Sequence, residues 1–228
     1  MRKTLLAVVM VGYGMGMLFL FGAVVLLQLM PSEPRPVMGE GGLYPLAVPD
    51  TELWVLQLTE YAGPFLEDPD SGKTVRTAAV LVENRGGLFV SAGAVVLQRQ
   101  QEQLVFELRD LPPGEKVLVL EKDAQAFAGA LGWECCGWMR EEYPEQWGWV
   151  SLAQLPGGLS VTNVSDQTLP YVLLTYKRRS ADGDAFVGGI SFSSTLGALS
   201  PGETRILSLP HYGQDRIQVV KTVVYWED

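Results

Sequence analysis

The sequence predicts an all-β protein: two antiparallel β-sandwich modules following a single N-terminal transmembrane helix. Three observations predict this. An apolar run extends from Leu5 to Met30, apolar and polar residues alternate with a period of two beyond Thr51, and a strand-and-turn signature occurs twice.

Residues 1–4 are read as a cytoplasmic stub and residues 5–30 as the anchor, interrupted only by Gln28. At about 1.5 Å per residue those 26 positions make a helix about 39 Å long, more than the roughly 30 Å hydrocarbon core. A cleaved secretory signal has an apolar stretch of only about 7–15 residues before a small-x-small site. Here Gly22-Ala23-Val24-Val25-Leu26 stays apolar, and Pro31-Ser32-Glu33-Pro34 follows only after the full span. Arg2 and Lys3 place the short flank in the cytoplasm by the positive-inside rule. The expectation is a single-pass plasma-membrane protein, with lipid around residues 5–30 and everything after Met30 extracytoplasmic. Residues 31–50 form a tether, in which Pro31, Pro34, Pro36, Pro45 and Pro49 stiffen the chain and Gly39, Gly41 and Gly42 relax it.

The first module is placed at 51–122. In Gln103–Arg109, Leu104, Phe106 and Leu108 face one way while Gln103, Glu107 and Arg109 face the other, as in a half-buried strand. Similar runs are Val75–Val82, Ala94–Gln98, Val117–Glu121, Tyr171–Lys177, Ile190–Ser194, Arg205–Leu209 and Ile217–Tyr225. Turn residues separate them, including Asn84-Arg85-Gly86-Gly87, Pro112-Pro113-Gly114, Asp182-Gly183 and Pro201-Gly202. A Trp-rich connector occupies 123–156, with Asp123–Leu131 as a short helix. The second module is placed at 157–228.

The repeat defines the modules. Val80-Leu81-Val82-Glu83-Asn84, a hairpin and Leu111-Pro112-Pro113-Gly114-Glu115 are echoed by Leu159-Ser160-Val161-Thr162-Asn163, a longer hairpin and Leu199-Ser200-Pro201-Gly202-Glu203. Each copy is near the lower size limit for an independent core, so the two should pack together. Proline presets φ at one turn corner and glycine permits φ > 0 at the next. Asn84 and Asn163 suit strand ends, where the amide bonds nearby backbone. A strand ending in Val161-x-Asn163, then Val172-Leu173-Leu174-Thr175-Tyr176, then Leu199–Glu203 resembles the immunoglobulin-like FxLYD type of bacterial extracytoplasmic module. The acidic residue usual after that tyrosine is Lys177 here, and the first copy has Leu97-Gln98 in place of the tyrosine. The resemblance implies an immunoglobulin-like fold and a mostly non-catalytic role in anchored surface proteins.

Composition narrows the function. Asp and Glu number 26 against 17 Lys and Arg, a formal charge of −9, which argues against nucleic acid as a partner. A hydrophobic content of 47 % with 19 % charged residues indicates a folded chain. No metal or cofactor is expected, because one His and two adjacent Cys supply too few ligands. Trp133, Trp138, Tyr143, Trp147 and Trp149 concentrate in the connector and form the candidate binding surface for an envelope protein or a glycan. The competing explanation is that these rings fill space between the modules.

Cys135 and Cys136 could form a strained vicinal disulfide, an intermolecular bond, or remain buried thiols. The expected role is that of a non-catalytic binding or assembly module of a cell-envelope complex. The alternatives are a purely structural spacer, or a hydrolase or thiol-redox protein using His211 or the Cys135/Cys136 pair; no Gly-x-Ser-x-Gly motif accompanies His211, and no Cys-x-x-Cys motif is present. Lys177-Arg178-Arg179 reads as an exposed basic strand end.

Overall fold

A computed structural model describes residues 44–143, 147–155, 158–209 and 217–226. The anchor at 5–30, most of the tether and His211 lie outside the described residues. The described chain is all-β, with two single-turn 3₁₀ helices at Pro69–Ser71 and Trp147–Trp149. Asp123–Leu131, expected as a short helix, has no helical hydrogen bonding. Its backbone is held by neighbours instead: the Arg99 guanidinium donates to Ala128 O at 3.1 Å, and Gln125 O accepts from Ala78 N at 2.9 Å.

Thirteen strands are described: β1 (Leu46–Ala47), β2 (Leu53–Pro64), β3 (Thr74–Asn84), β4 (Phe89–Arg99), β5 (Glu102–Leu111), β6 (Lys116–Leu120), β7 (Glu134–Glu142), β8 (Val150–Leu155), β9 (Gly158–Asn163), β10 (Tyr171–Arg179), β11 (Phe186–Leu196), β12 (Thr204–Leu207) and β13 (Ile217–Tyr225). They make a seven-stranded sheet in the order β1-β2-β3-β6-β11-β10-β13 and two three-stranded sheets, β5-β4-β7 and β12-β9-β8. All pairings are antiparallel except β6 with β11, where Val117 faces Phe186 and Leu118 faces Val187. That parallel step joins strands from the two copies of the repeat into one sheet.

Two main cores follow from the alternation. Val55, Val80 and Val82 from the large sheet meet Val95, Leu97, Phe106 and Leu108 from β4 and β5. Val172, Leu174 and Val219 meet Leu159 and Val161 from β9. Phe186 belongs to the first core although it comes from the second copy of the repeat, so the halves share buried apolar surface.

The repeat is visible in individual hydrogen bonds. Asn84 is fully buried; its Nδ2 donates to Leu88 O at 2.9 Å and Leu111 O at 3.1 Å, and its Oδ1 accepts from Gly86 N at 3.0 Å. Asn163, also fully buried, donates to Gln167 O at 2.7 Å and Leu199 O at 2.8 Å and accepts from Ser165 N at 2.9 Å. The turn glycines match as well. Gly114 and Gly202 have φ of 72° and 73°, and each donates its N–H to the carbonyl of the corresponding asparagine.

The junction overturns the reading of Lys177–Arg179 as an exposed strand end. Lys177 has no exposed surface; its Nζ donates to Arg109 O at 2.9 Å and Ile190 O at 2.8 Å. The middle of β10 is buried on both faces, so alternation does not bring Lys177 to solvent. Arg179 lies over the Phe186 ring, 4.5 Å from its centroid, and pairs with Glu115 at 2.6 Å.

Candidate binding surface

Strand β7 runs through the Trp-rich segment, and alternation divides its side chains. Glu134, Cys136, Trp138 and Arg140 are exposed on one face; Cys135, Gly137 and Met139 lie on the half-buried face. Cys135 and Met139 pack against the first core. The strand is held by β4, with Val96 opposite Cys136 and Ala94 opposite Trp138. At its end, Lys221 of β13 donates to Glu142 at 2.8 Å, and this hydrogen bond holds the Glu142 carboxyl below its ordinary pKa.

The five aromatic candidates do not form one surface. Trp133 leaves the set: it is 6 % exposed, its Nε1 donates to Gly129 O at 2.8 Å, and the Arg99 guanidinium sits 4.5 Å from its ring centroid. A ring so enclosed is core. Trp138 and Tyr143 are the accessible members, at 53 % and 81 % exposure. Trp147 belongs to the 3₁₀ turn, and its side chain lies outside the described residues. Trp149 is half-buried against the second core and meets Trp226 edge-on at 5.6 Å.

That contact exposes a second aromatic group missed in the sequence. Tyr171 and Tyr225 stand opposite each other across β10 and β13, with ring centroids 5.9 Å apart, and both are exposed. Trp226 follows Tyr225 and links the pair to Trp149. Neither tyrosine lies in a Trp-rich segment; only cross-strand register brings them together.

Cys135 and Cys136 are both free thiols. Neighbouring residues in an extended strand point to opposite faces, so this strand geometry does not bring the two sulfurs together. Burial, with the Cys136 thiol as a lesser contributor, pushes Cys135 up to about 11, leaving it a protonated thiol at neutral pH. Burial also raises the Tyr44 phenol beside it to about 12. Cys136 is exposed.

A concavity of about 360 Å³ lies beside β7, lined by Asp50, Thr51, Glu52, Met139 and Glu141. Among the described residues no group of three or more potential ligands is arranged to hold a metal ion. In the tip of the β10–β11 hairpin, the Asp182 carboxylate accepts from Asp184 N at 3.1 Å and from Ser180 Oγ, an ordinary turn arrangement. No protein-family model matches the chain, and no curated protein is similar to it.

Proposed function

We propose that the chain is a membrane-anchored, non-catalytic binding or assembly module of a cell-envelope complex, held by residues 5–30 with its C-terminal part extracytoplasmic. In this reading the two copies of the repeat are immunoglobulin-like modules of the FxLYD type. The observation that carries it is the exposure of Trp138 and Tyr143 on and beside β7, the end strand of its sheet. Large amphipathic rings bury much area at small entropic cost, and an edge strand offers backbone donors and acceptors to a partner. The long apolar run and its Arg2-Lys3 flank support the anchor.

The test is crosslinking in intact membranes followed by identification of what copurifies with the full chain. A reproducible envelope protein whose recovery drops when Trp138 and Tyr143 are changed together to Ala is the expected result. Unchanged recovery, or no partner at all, rejects the binding role.

A further inference from the structure

We propose that the outer edge of β7 is a self-association surface, on which a second copy of this chain adds its own β7 antiparallel and extends the β5-β4-β7 sheet across a two-fold axis. The inference rests on the reading of this chain as an assembly module and names the partner of that edge.

The two edges of the β5-β4-β7 sheet are finished differently. On β5, Val105 O accepts from Lys122 N at 2.9 Å and Arg109 O accepts from Lys177 Nζ at 2.9 Å. Glu107 O lies 2.1 Å from where a Cβ on Gly189 would stand, so β11 closes that edge by direct contact. On β7, among the described residues, no backbone hydrogen bond arrives from outside its ladder with β4. It has nine residues and no proline, so it lacks two of the devices that blunt natural edges.

Its charges complement themselves in one register. Antiparallel pairing centred on Gly137 sets Glu134 of each protomer opposite Arg140 of its partner, and Cys136 opposite Trp138. On the other face it sets Cys135 opposite Met139. A two-fold axis keeps like faces together, so neighbouring symmetric registers differ by one step in the central residue. Centring on Trp138 puts Glu134 against Glu142, two carboxylates; centring on Cys136 leaves Glu134 opposite Trp138 and Arg140 opposite Gly132. Of these three registers only the one centred on Gly137 pairs opposite charges, twice by symmetry, and it covers both exposed Trp138 rings.

The full chain in detergent micelles is examined by sedimentation equilibrium as wild type, E134R, R140E and the E134R/R140E double variant. The expected result is a wild-type dimer, a dissociation constant raised about tenfold or more by either single reversal, and recovery in the double variant, because two attractive pairs become repulsive and then attractive again. Unchanged thermal midpoints for these exposed substitutions show that the fold is kept. In membranes, a bis-maleimide reaching about 8 Å joins Cys136 of the two copies, which are diagonal neighbours about 7–8 Å apart in this register, and C136S abolishes the product. A monomeric wild type, single reversals that dimerise like wild type, or a double variant that stays weak each overturn the pairing. A monomer that still copurifies an envelope protein overturns the pairing alone. A dimer with no other copurifying protein leaves the pairing standing and removes the wider assembly role.

Discussion

Lys177 places a cationic side chain in the interior, where the two copies of the repeat meet. It is fully buried, and desolvation lowers its ammonium to about 8, partly offset by the carboxylates of Asp110 and Glu67. Those carboxylates are themselves engaged: Asp110 accepts from Ser191 Oγ, and Glu67 accepts from Gly189 N at 2.9 Å and Ile190 N at 3.2 Å. The folded value lies below the unfolded one near 10.5, so the folded state gives up this proton first. The stability linked to it is complete above pH 10.5 and is lost as pH falls through about 8. Denaturant titrations from pH 8 to 9 should therefore show the wild type gaining about 1 kcal/mol, and Lys177→Met should show no such gain. Above pH 9 the raised Cys135 and tyrosine values oppose the trend, because those groups keep their protons longer when folded. A slope shared by the methionine variant refutes the assignment to Lys177.

At the scale of elements, the asparagine clamp explains why the repeat keeps its form although the two hairpins differ in length. Each amide donates to two carbonyls, one in the following turn and one at the far end of the hairpin; at the second site Leu199 O also accepts from Leu169 N and Gln167 O from Ser165 Oγ, each at 3.0 Å. Removing the amide costs about 1–3 kcal/mol for each buried acceptor that is left without another donor. Asn84→Ala should lower the unfolding free energy by about 2–4 kcal/mol, measured in urea, and Asn163→Ala should lower it by less. The smaller loss is expected at Asn163 because Leu199 O and Gln167 O keep a second donor there, and an Asn84→Ala variant within about 0.5 kcal/mol of wild type (the range of a neutral surface change) excludes the clamp. Most strands were legible in the sequence, since period-two alternation marked β3 to β6 and β10 to β13. Strand β7 was hidden, because Glu-Cys-Cys-Gly-Trp mixes small, polar and aromatic residues. Only its ladder with β4 makes it a strand. For the same reason, Trp138 and Trp133 looked equivalent although one is exposed and the other is core.

For the whole molecule, the junction between the two copies decides how the cores cooperate. Gly189 approaches β5 so closely that a methyl group would meet Glu107 O at 2.1 Å, and a backbone atom in a sheet has little room to retreat. Gly189→Ala should destabilise by about 1–3 kcal/mol or more, read from the denaturant midpoint, with the loss centred on the β5–β11 contact in hydrogen exchange. An alanine variant as stable as wild type contradicts this packing. The shared Phe186, the β6–β11 parallel pair and the Arg179–Glu115 ion pair lie along the same seam.

What the sequence determined by itself was local: strand identity from alternation, turns from Pro-Gly and Asn, and the repeat, because each depends on residues a few positions apart. What only the tertiary structure decided was which side chains of those strands meet water. A lysine on a strand buried on both faces, a tryptophan enclosed by Arg99 and a tyrosine pair formed by cross-strand register all depend on neighbours distant in the chain. Burial is a property of the packed sheets, and no short stretch of residues carries it.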